Sequence, residues 1–296
     1  MRVSVLGSAA GGGLPQWNCN CPVCRGARDG RARPRTQSSI AVRADDGPWF
    51  LVNASPDLRQ QLAELPGARS DELRTTPIAG VILTDAEIDH TAGLLLLRES
   101  SEPLLVYSTD AVRDALTDHY PVLRMLEHYC GVSWRELAPG QSTPLEGCSL
   151  EVEPFPTGGD APLYMGGAAG PGSVGLTIRE RGSGGGVLCY APALAELDEA
   201  LTARLRDSDC LLADGTFWRA DELVELGLSG RDSWAMGHAP LSGADGTLQT
   251  LAGLGPRTIL VHINNTNPML FEDSEERDEA EHSGVEVGYD GLEVVL

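Results

Sequence analysis

Short apolar runs bounded by turn residues recur along the whole chain, and they constrain its fold more than any other feature. Each run has the length of a β-strand and is rich in Val, Ile, Leu or aromatic residues. A run that is apolar at successive positions is typical of a strand buried on both faces. We therefore predict strands at Val3–Leu6, Ser39–Val42, Trp49–Val52, Gly80–Leu83, Leu104–Tyr107, Leu150–Phe155, Val174–Ile178, Val187–Tyr190, Cys210–Ala213, Thr258–His262 and Val285–Val287.

Helical patterns fall between several of these runs. Pro56 follows Ser55 and suits the first turn of a helix. The patterns predict helices at Asp57–Leu65, Thr91–Glu99, Thr109–Leu116, Ala193–Leu205, Asp221–Leu228 and Gly246–Gly253. Strands interleaved with helices in this way indicate an α/β fold with mixed sheets.

The composition narrows the class of protein. The chain has 296 residues, of which 42% are apolar, which is enough to bury a sizeable core. A net charge of −21 argues against nucleic acid as a partner, because surfaces that bind it concentrate Lys and Arg. No apolar run reaches the roughly 18 residues that a membrane-spanning helix needs, so we predict no membrane span. The acidic stretch 271–281 is typical either of a disordered segment or of a solvated helix.

The cysteine content and the start of the chain predict a cytoplasmic protein. The first apolar run breaks at Gly7, which is too early for the core of a secretory signal. Seven cysteines, an odd number, are typical of a reducing compartment, where cysteine is a metal ligand, a catalyst or a core residue. Four of them lie in apolar surroundings, and we expect inert core residues at Cys130, Cys148, Cys189 and Cys210.

The other three cysteines, Cys19, Cys21 and Cys24, lie within six residues. Three soft ligands with a turn between the last two suit a closed tetrahedral zinc site. A redox pair of Cys21 and Cys24 is an alternative, but the third thiol argues against it. Three unrelated core cysteines are the other alternative. We predict a structural zinc, whose fourth ligand the sequence does not reveal.

A second group of metal-binding residue types lies where the strand at Gly80–Leu83 gives way to a helix. Asp85, Glu87, Asp89 and His90 follow one another within this loop. Carboxylates at the start of a helix complement its dipole, which is a sufficient structural reason for Asp85 and Glu87. It does not explain a histidine at that position. Asp89 and His90 are therefore candidate metal ligands.

Two later strands end in further candidate ligands. Asp214 follows one buried strand and His262 closes another, and ligands gather at strand ends in α/β proteins. His238 precedes a turn, where it suits either a mobile acid or base or a structural role. The remaining histidines lie among polar residues and are expected at the surface: His119, His128 and His282.

Motifs distributed from end to end resemble those of the coenzyme PQQ (pyrroloquinoline quinone) biosynthesis protein B family. They are Gly13–Cys21, Gln37–Val42, Asn53–Arg59, Thr84–Gly93, Asp214–Trp218, Met236–His238 and His262–Pro268. The resemblance implies a four-layered αββα sandwich of the metallo-β-lactamase type with pseudo-repeat halves. It also implies one domain over residues 1–296, with a zinc knuckle at 19–24 as in the tRNase Z and phosphodiesterase branch.

The chain departs from the metallo-β-lactamase pattern at the first metal position. Asp85 and Glu87 stand where the hydrolases have two histidines, and 155–160 lacks the histidine that they carry after a middle strand. The second position keeps its residues, and the resemblance implies a metal on Asp89, His90, Asp214 and His262. Asn264 and Asn265 stand where the phosphodiesterase branch has the fourth knuckle ligand, which leaves that ligand unassigned.

The resemblance further implies an iron-dependent hydroxylase. Fe(II) and O2 would oxygenate the tyrosine ring of a Glu-Tyr unit from the precursor peptide, with zinc able to occupy the site on purification. Asp214 would be a fourth ligand or would orient bound water, while Asp85, Glu87 and His238 would act as catalytic residues for proton transfer and substrate contact. Other PQQ biosynthesis proteins are expected partners. Three alternatives remain open: a zinc hydrolase, a carrier that helps to export the quinone or its precursor, and a scaffold for the precursor peptide.

Overall fold

Two mixed β-sheets form the centre of the molecule. The structure is a computed structural model that describes residues 1–45, 47–67, 73–166, 172–182 and 184–296. The strands are β1 (Arg2–Gly7), β2 (Ser39–Arg43), β3 (Trp49–Val52), β4 (Ile78–Ile82), β5 (Leu104–Ser108), β6 (Val132–Glu136), β7 (Thr143–Pro144), β8 (Leu150–Gly158), β9 (Ser173–Glu180), β10 (Val187–Ala191), β11 (Cys210–Asp214), β12 (Arg257–Val261), β13 (Val285–Val287) and β14 (Glu293–Val295). Within the described residues each sheet has seven strands, ordered β14-β1-β2-β3-β4-β5-β6 and β13-β12-β11-β10-β9-β8-β7.

Helices cover the outer faces of both sheets. They are α1 (Pro22–Arg28), α2 (Leu58–Glu64), α3 (Ile88–Thr91), α4 (Asp110–Asp114), α5 (Val122–Leu126), α6 (Glu199–Arg206), α7 (Glu222–Glu225), α8 (Leu248–Ala252) and α9 (Glu275–His282). Segments of 3-10 helix lie at Ala92–Glu99, Leu163–Met165, Trp234–Met236 and Pro268–Leu270, and α4 continues into a π-helical turn at Ala115–His119.

The buried side chains divide into three layers of core. Between the sheets, Phe50 and Val52 of β3 meet Leu176 of β9 and Leu212 of β11. A second cluster lies between the first sheet and its helices, and a third, which includes Cys24, lies between the second sheet and its helices. Alternate residues of a strand therefore enter different clusters, as expected for period-2 side chains. The four-layered αββα fold is confirmed.

Parallel pairing brings the candidate ligands to one edge. Strands β10, β11, β12 and β13 run parallel, and Asp214 at the end of β11 pairs with Val261 at the end of β12. In the other sheet β3, β4 and β5 run parallel, so the loop after Ile82 leaves from a carboxyl edge as well. In open α/β sheets this edge is the usual place for a binding site.

Two predicted helices differ from the structure. The one expected at Thr91–Glu99 begins earlier, as α3, and its continuation is 3-10 helix, so Asp89 and His90 lie within the first helical turn. The one expected at Ala193–Leu205 starts only at Glu199. Its first part is held away from helical geometry because the backbone N–H of Leu194 donates to Asp214 (2.8 Å).

Several strands and helices were not predicted from the sequence because they are short or polar. They are the strands β6, β7 and β14 and the helices α1 and α5. Helix α9 settles the acidic stretch as largely helical, with Ser274 capping its first turn by accepting from the backbone N–H of Arg277 (3.2 Å).

The cysteines and histidines outside the candidate sites are placed mostly as expected. Cys189 and Cys210 are buried, whereas Cys130 and Cys148 are only partly buried, because both lie in turns at the margin of the core. His119, His128 and His282 are exposed, as predicted. Among the described residues, no helix combines the length and the apolar character needed to cross a membrane.

Candidate metal centre

The loop between β4 and α3 is held in place by hydrogen bonds at its start. Asn53 donates to Thr84 Oγ1 (2.9 Å) and accepts from the backbone N–H of Thr84 (3.0 Å). The hydroxyl of Thr84 donates in turn to Asp85 Oδ2 (2.8 Å). Asn53 adopts a positive φ of 64°, a left-handed conformation that asparagine tolerates better than most residues. This network fixes the direction in which Asp85 points.

Asp85 holds the ring of His90. The two carboxylate oxygens of Asp85 lie 2.9 and 2.8 Å from His90 Nδ1, and both residues are buried. The other ring nitrogen, Nε2, is buried without a hydrogen-bond partner among the described residues. A buried polar atom without a partner is costly, and a metal ion is one group that satisfies it. Asp85 therefore directs Nε2 of His90 at a place suited to a cation.

Asp89 and His262 face the same place. Asp89 Oδ2 lies 3.9 Å from His90 Nε2 and 3.6 Å from His262 Nε2. One ligand atom from each residue lies within 4.8 Å of the other two. Ligands at about 2.0–2.2 Å from a common ion lie roughly 3–3.5 Å apart, so small side-chain movements suffice to close the site. These residues fit a divalent metal.

The backbone at His262 turns its ring out of the strand. His262 has a φ of 56°, in the left-handed region that residues with a Cβ rarely adopt. Such a conformation costs about 1–3 kcal/mol and persists where the surroundings enforce it. Thr216 supplies part of that enforcement, because its Oγ1 lies 2.8 Å from His262 Nδ1 and 2.8 Å from the carbonyl oxygen of His262. Nε2 of His262 is thereby presented to Asp89.

Asp214 and His238 form a hydrogen-bonded pair beside this cluster. Asp214 Oδ2 lies 2.7 Å from His238 Nδ1 and accepts from the backbone N–H of Leu194 (2.8 Å). Its other oxygen accepts from the N–H and the hydroxyl of Thr216 (2.9 and 2.6 Å). Asp214 groups with His238 and His262, not with His90, as a second set of metal-compatible atoms. The ring of His238 stacks on that of His262, with centroids 5.1 Å apart.

The charges in the cluster favour a cation. Burial lowers the pKa of His90, but the carboxylates of Asp85 and Asp89 outweigh it and raise the pKa to about 9. Burial lowers the pKa of His262 below its usual value, which keeps that ring neutral near pH 7 and able to donate electrons to a metal. A metal ion at Nε2 of His90 would replace a proton, so we expect metal binding to release protons.

Glu87 lines the pocket in front of this cluster. Its side chain is half-buried, and burial together with the charges of Asp85 and Asp89 raises its pKa to about 7. Asp85, by contrast, is engaged with His90, as described above, although it also contributes to the pocket wall. The two residues that replace the hydrolase histidines thus differ in what they contact.

The pocket has a volume of about 750 Å³. Six of the predicted site residues line it: Asp85, Glu87, Asp89, His90, His238 and His262. Four residues that were given no role in advance line it as well: Gly11, Thr216, Asn264 and Arg231. Gly11 permits a close approach, because a Cβ there would lie 3.1 Å from Asp89 Oδ2. The Gly-rich turn and the position of Thr216 two residues after Asp214 were signals for two of these.

The three thiols of the knuckle converge on the outer side of the second sheet. Sulfur atoms of Cys19, Cys21 and Cys24 all lie within 4.8 Å of one another, and the three residues are buried. Backbone N–H groups of Cys21 and Cys24 donate to Cys19 Sγ and Cys21 Sγ, at 3.4 Å each. The side-chain amide of Asn265 lies 3.2 Å from the sulfur atoms of Cys19 and Cys24. This cluster has the donor set of a cysteine metal site, with Asn265 at its open side.

Comparison with known proteins agrees with this geometry. Residues 48–263 match the model of the Beta-lactamase superfamily domain. Coenzyme PQQ synthesis protein B of Cupriavidus necator is 48% identical over 306 residues, covering 99% of this chain and 99% of that protein. The chain belongs to the coenzyme PQQ synthesis protein B family.

Solved structures support the same membership. The Zn(2+)-bound PqqB from Methylobacterium extorquens, a member of this family, has a TM-score of 0.91 and 41% identity, with 100% of each chain covered. A diphosphatase from the PhnP family has a TM-score of 0.70 at 19% identity, covering 100% of this chain and 97% of that one, and shows a common fold alone. The predicted resemblance to the PQQ synthesis protein B family and to the metallo-β-lactamase fold is confirmed.

Proposed function

We propose that this chain acts in the synthesis of coenzyme PQQ as an iron-dependent oxygenase, which hydroxylates the tyrosine ring of a Glu-Tyr unit derived from a precursor peptide. The observation that carries the proposal is the convergence of Asp89, His90 and His262, with Nε2 of His90 buried and lacking a partner among the described residues. Two histidines and one carboxylate with open positions are the donor set of non-haem Fe(II) oxygenases.

The role of each side chain follows from its contacts. Asp89, His90 and His262 would hold the metal, and Asp85 and Thr216 orient the two imidazoles through the Nδ1 atom of each ring. Asp214 keeps His238 in place. Iron held there would supply O2 activation: one oxygen atom would enter an aromatic C–H bond and the other would leave as water, with two electrons and two protons from an external small-molecule reductant.

Proton transfer and substrate contact fall to residues on the pocket wall. Glu87, with a pKa of about 7, exchanges protons readily near neutral pH. His238 uses Nδ1 for Asp214, which leaves Nε2 for a substrate hydroxyl. Phe217 and Met236 line the same pocket and reduce the water around a bound ring. These assignments support a reaction on a small peptide within the pocket.

The zinc-bound relative from Methylobacterium extorquens supports a divalent metal in this fold. It does not argue against iron, because zinc outcompetes Fe(II) for nitrogen and oxygen ligands in the usual order of affinities. We therefore expect the purified protein to carry zinc at Asp89, His90 and His262 unless iron is supplied.

A zinc-dependent hydrolase is the second candidate, and one observation favours it. Asp214, His238 and His262 form a further set of converging atoms, so that His262 could be shared by two ions. Against it, both oxygens of Asp214 already accept hydrogen bonds, and His238 Nδ1 is only 2.7 Å from one of them. Dinuclear activation of water would require this pair to separate.

The test compares oxygen incorporation with hydrolysis on the same preparation. Protein loaded with Fe(II) under anaerobic conditions receives Glu-Tyr, ascorbate and isotopically labelled O2, and the product is analysed by mass spectrometry. We expect labelled oxygen in the ring, its loss in His90→Ala, and its retention in His128→Ala, which removes an exposed histidine.

Two results would contradict the proposal. Cleavage of a phosphodiester by zinc-loaded protein, without oxygen incorporation by the iron form, would favour the hydrolase. Tight binding of PQQ or of Glu-Tyr, released unchanged from the iron form, would favour a carrier.

A further inference from the structure

The pocket in front of the metal cluster has an uneven distribution of charge. Its wall carries four carboxylates, from Asp85, Glu87, Asp89 and Asp160. Arg231 is the one Arg or Lys among the described residues that line it. An anionic ligand is repelled by each carboxylate that stays ionised and unpaired, and the repulsion grows as less water intervenes. A bound metal ion aside, Arg231 is the one side chain of the described wall that can offset the charge of a ligand carboxylate.

The backbone around Arg231 is well anchored. The N–H of Arg231 donates to Ser229 Oγ (2.9 Å), and the N–H of Ser233 donates to the carbonyl oxygen of Ala220 (2.9 Å). Asp232 accepts from the backbone N–H of Ala235 (2.8 Å). The same turn leads to His238, whose N–H donates to the carbonyl oxygen of Ser233 (3.0 Å). Arg231 thus projects from a turn that is hydrogen-bonded to the segment carrying His238.

The guanidinium of Arg231 retains most of its donors. It is exposed, and it donates one hydrogen bond, to the carbonyl oxygen of Ala235. Among the described residues no carboxylate lies within 4 Å of it, unlike the paired Arg219 nearby. A guanidinium has five N–H donors in a flat fork that matches the two oxygens of a carboxylate. Arg231 is therefore free to make that pair with a ligand.

Apolar side chains complete the pocket wall. They belong to Pro162, Leu163, Phe217, Leu223 and Met236. A ligand with a flat apolar body and a carboxylate at its far end satisfies both the apolar wall and Arg231, while its body stays near the metal cluster. A tyrosine-containing acidic peptide has these features.

We propose that Arg231 is a specificity-determining residue that pairs with a carboxylate of the substrate at the exposed rim of the pocket. This inference rests on the proposed function, because it takes the substrate to be a peptide with a tyrosine ring directed at the metal. Arg231 acts on binding and orientation and takes no part in proton transfer or metal binding.

Binding without turnover isolates this role. Titration calorimetry measures the affinity of Glu-Tyr for zinc-loaded protein, in the wild type and in Arg231→Gln, Arg231→Lys and Arg206→Gln. Arg206 is an exposed arginine of α6 outside the pocket and serves as the matched control. We expect Arg231→Gln to weaken binding about 10-fold, because a charge-assisted, bidentate pair is lost. Arg231→Lys should recover part of the loss, and Arg206→Gln should change nothing.

Matched ligands identify the carboxylate. Glu-Tyr amide lacks the terminal carboxylate, and Gln-Tyr lacks that of the side chain. One of the two should bind wild-type protein as weakly as Glu-Tyr binds Arg231→Gln, and it should lose nothing further in that variant. This coupling also distinguishes a direct ion pair from a disturbed turn. A disturbed turn would lower the affinity for all three ligands equally.

The outcomes distinguish this inference from the proposed function. Equal affinity of Glu-Tyr for wild type and Arg231→Gln, an equal loss for all three ligands, or no measurable binding to wild type overturns the role of Arg231. Oxygen incorporation by iron-loaded protein is scored separately. If binding depends on Arg231 while no oxygen is incorporated, the proposed function fails and the carboxylate site stands.

Discussion

At the scale of single residues, the contact between Asp85 and His90 decides which ring nitrogen faces the pocket. A carboxylate at Nδ1 fixes the tautomer and the direction of an imidazole, and it makes Nε2 a better ligand. Thr216 stands in the corresponding position at Nδ1 of His262. The protein thus uses a charged partner for one histidine and a neutral one for the other.

Replacing Asp85 by asparagine should lower the affinity of the candidate site for its metal ion. Loss of such a partner typically costs about 10–100-fold in metal affinity or activity, and we expect Asp85→Asn to fall in that range. Competition with a chelator measures the affinity. Asp160→Asn is the control, because Asp160 lines the same pocket, while the carboxylates within 4 Å of His90 among the described residues are those of Asp85 and Asp89. Equal affinities in the two variants would show that Asp85 does not orient the ring.

Glu222 is a buried carboxyl whose titration affects stability. Burial raises its pKa to about 7, although it accepts hydrogen bonds from the backbone of Trp218 (2.5 Å) and the hydroxyl of Thr266 (3.0 Å). Between pH 4.5 and 7 the folded state holds a proton at Glu222 that the unfolded state has lost. The free energy of unfolding therefore falls as the pH rises through this window.

The variant Glu222→Gln cannot ionise and should lack that fall. The difference in the free energy of unfolding between wild type and variant should change by up to roughly 3 kcal/mol from pH 4.5 to 7, because the wild type becomes less stable relative to the variant as the pH rises. Denaturant titrations across the window measure it. Glu279→Gln, at an exposed site, should follow the wild type. Parallel curves for all three proteins would contradict the assignment.

At the scale of elements, the segment after β12 joins the two clusters of metal-binding residues. His262 and Asn264 line the pocket of the candidate metal centre, while Asn265 lies against the thiols of the knuckle. Asn264 donates to Thr266 Oγ1 (2.6 Å), whose hydroxyl donates to Glu222. One short segment is therefore tied on both sides, which also enforces the left-handed backbone at His262.

The variant Cys21→Ser should lose about one equivalent of zinc and melt at a lower temperature, because metal-binding energy contributes to folding energy. We also expect weaker metal binding at Asp89, His90 and His262, since the segment would lose one of its anchors. Elemental analysis and thermal unfolding are the measurements. Cys130→Ser, away from both clusters, is the control. Full retention of zinc in Cys21→Ser would exclude a zinc knuckle.

At the scale of the whole molecule, the layer of apolar side chains between the sheets holds the two halves of the site together. Asp89 and His90 follow a strand of one sheet, whereas Asp214 ends a strand of the other sheet and His262 directly follows one. The two sets meet only because the sheets pack face to face. The candidate metal site therefore depends on the stability of this apolar layer.

Leu176→Ala should lower the free energy of unfolding by about 2–5 kcal/mol, as expected for a fully buried leucine replaced by alanine. Leu228→Ala is the control, because Leu228 is 52% exposed and its truncation should cost less than about 0.5 kcal/mol. Chemical denaturation of both variants measures the effect. Similar losses in the two would contradict the assignment of Leu176 to the core between the sheets.

The sequence by itself determined those features that depend on residues close to one another along the chain. Strands such as β3 and β11 were predictable because both of their faces are apolar, and the knuckle because its thiols lie within six residues. Asp89 and His90 were identifiable as candidate ligands for the same local reason. Elements without such a signal were not predicted, among them the two-residue β7, while the strongly polar α9 was left open between a helix and a disordered segment.

Only the tertiary structure decided which distant residues meet. Asn265 contacts Cys21, although the two are 244 residues apart in the sequence, and no periodicity predicts that contact. Asp85 was expected on the pocket wall for proton transfer, and its contact with His90 became visible only once α3 had turned the ring back onto it. Arg231 carried no local signal at all. The physical reason is that a pattern specifies which face of an element is buried, whereas the packing of two sheets specifies what that face touches.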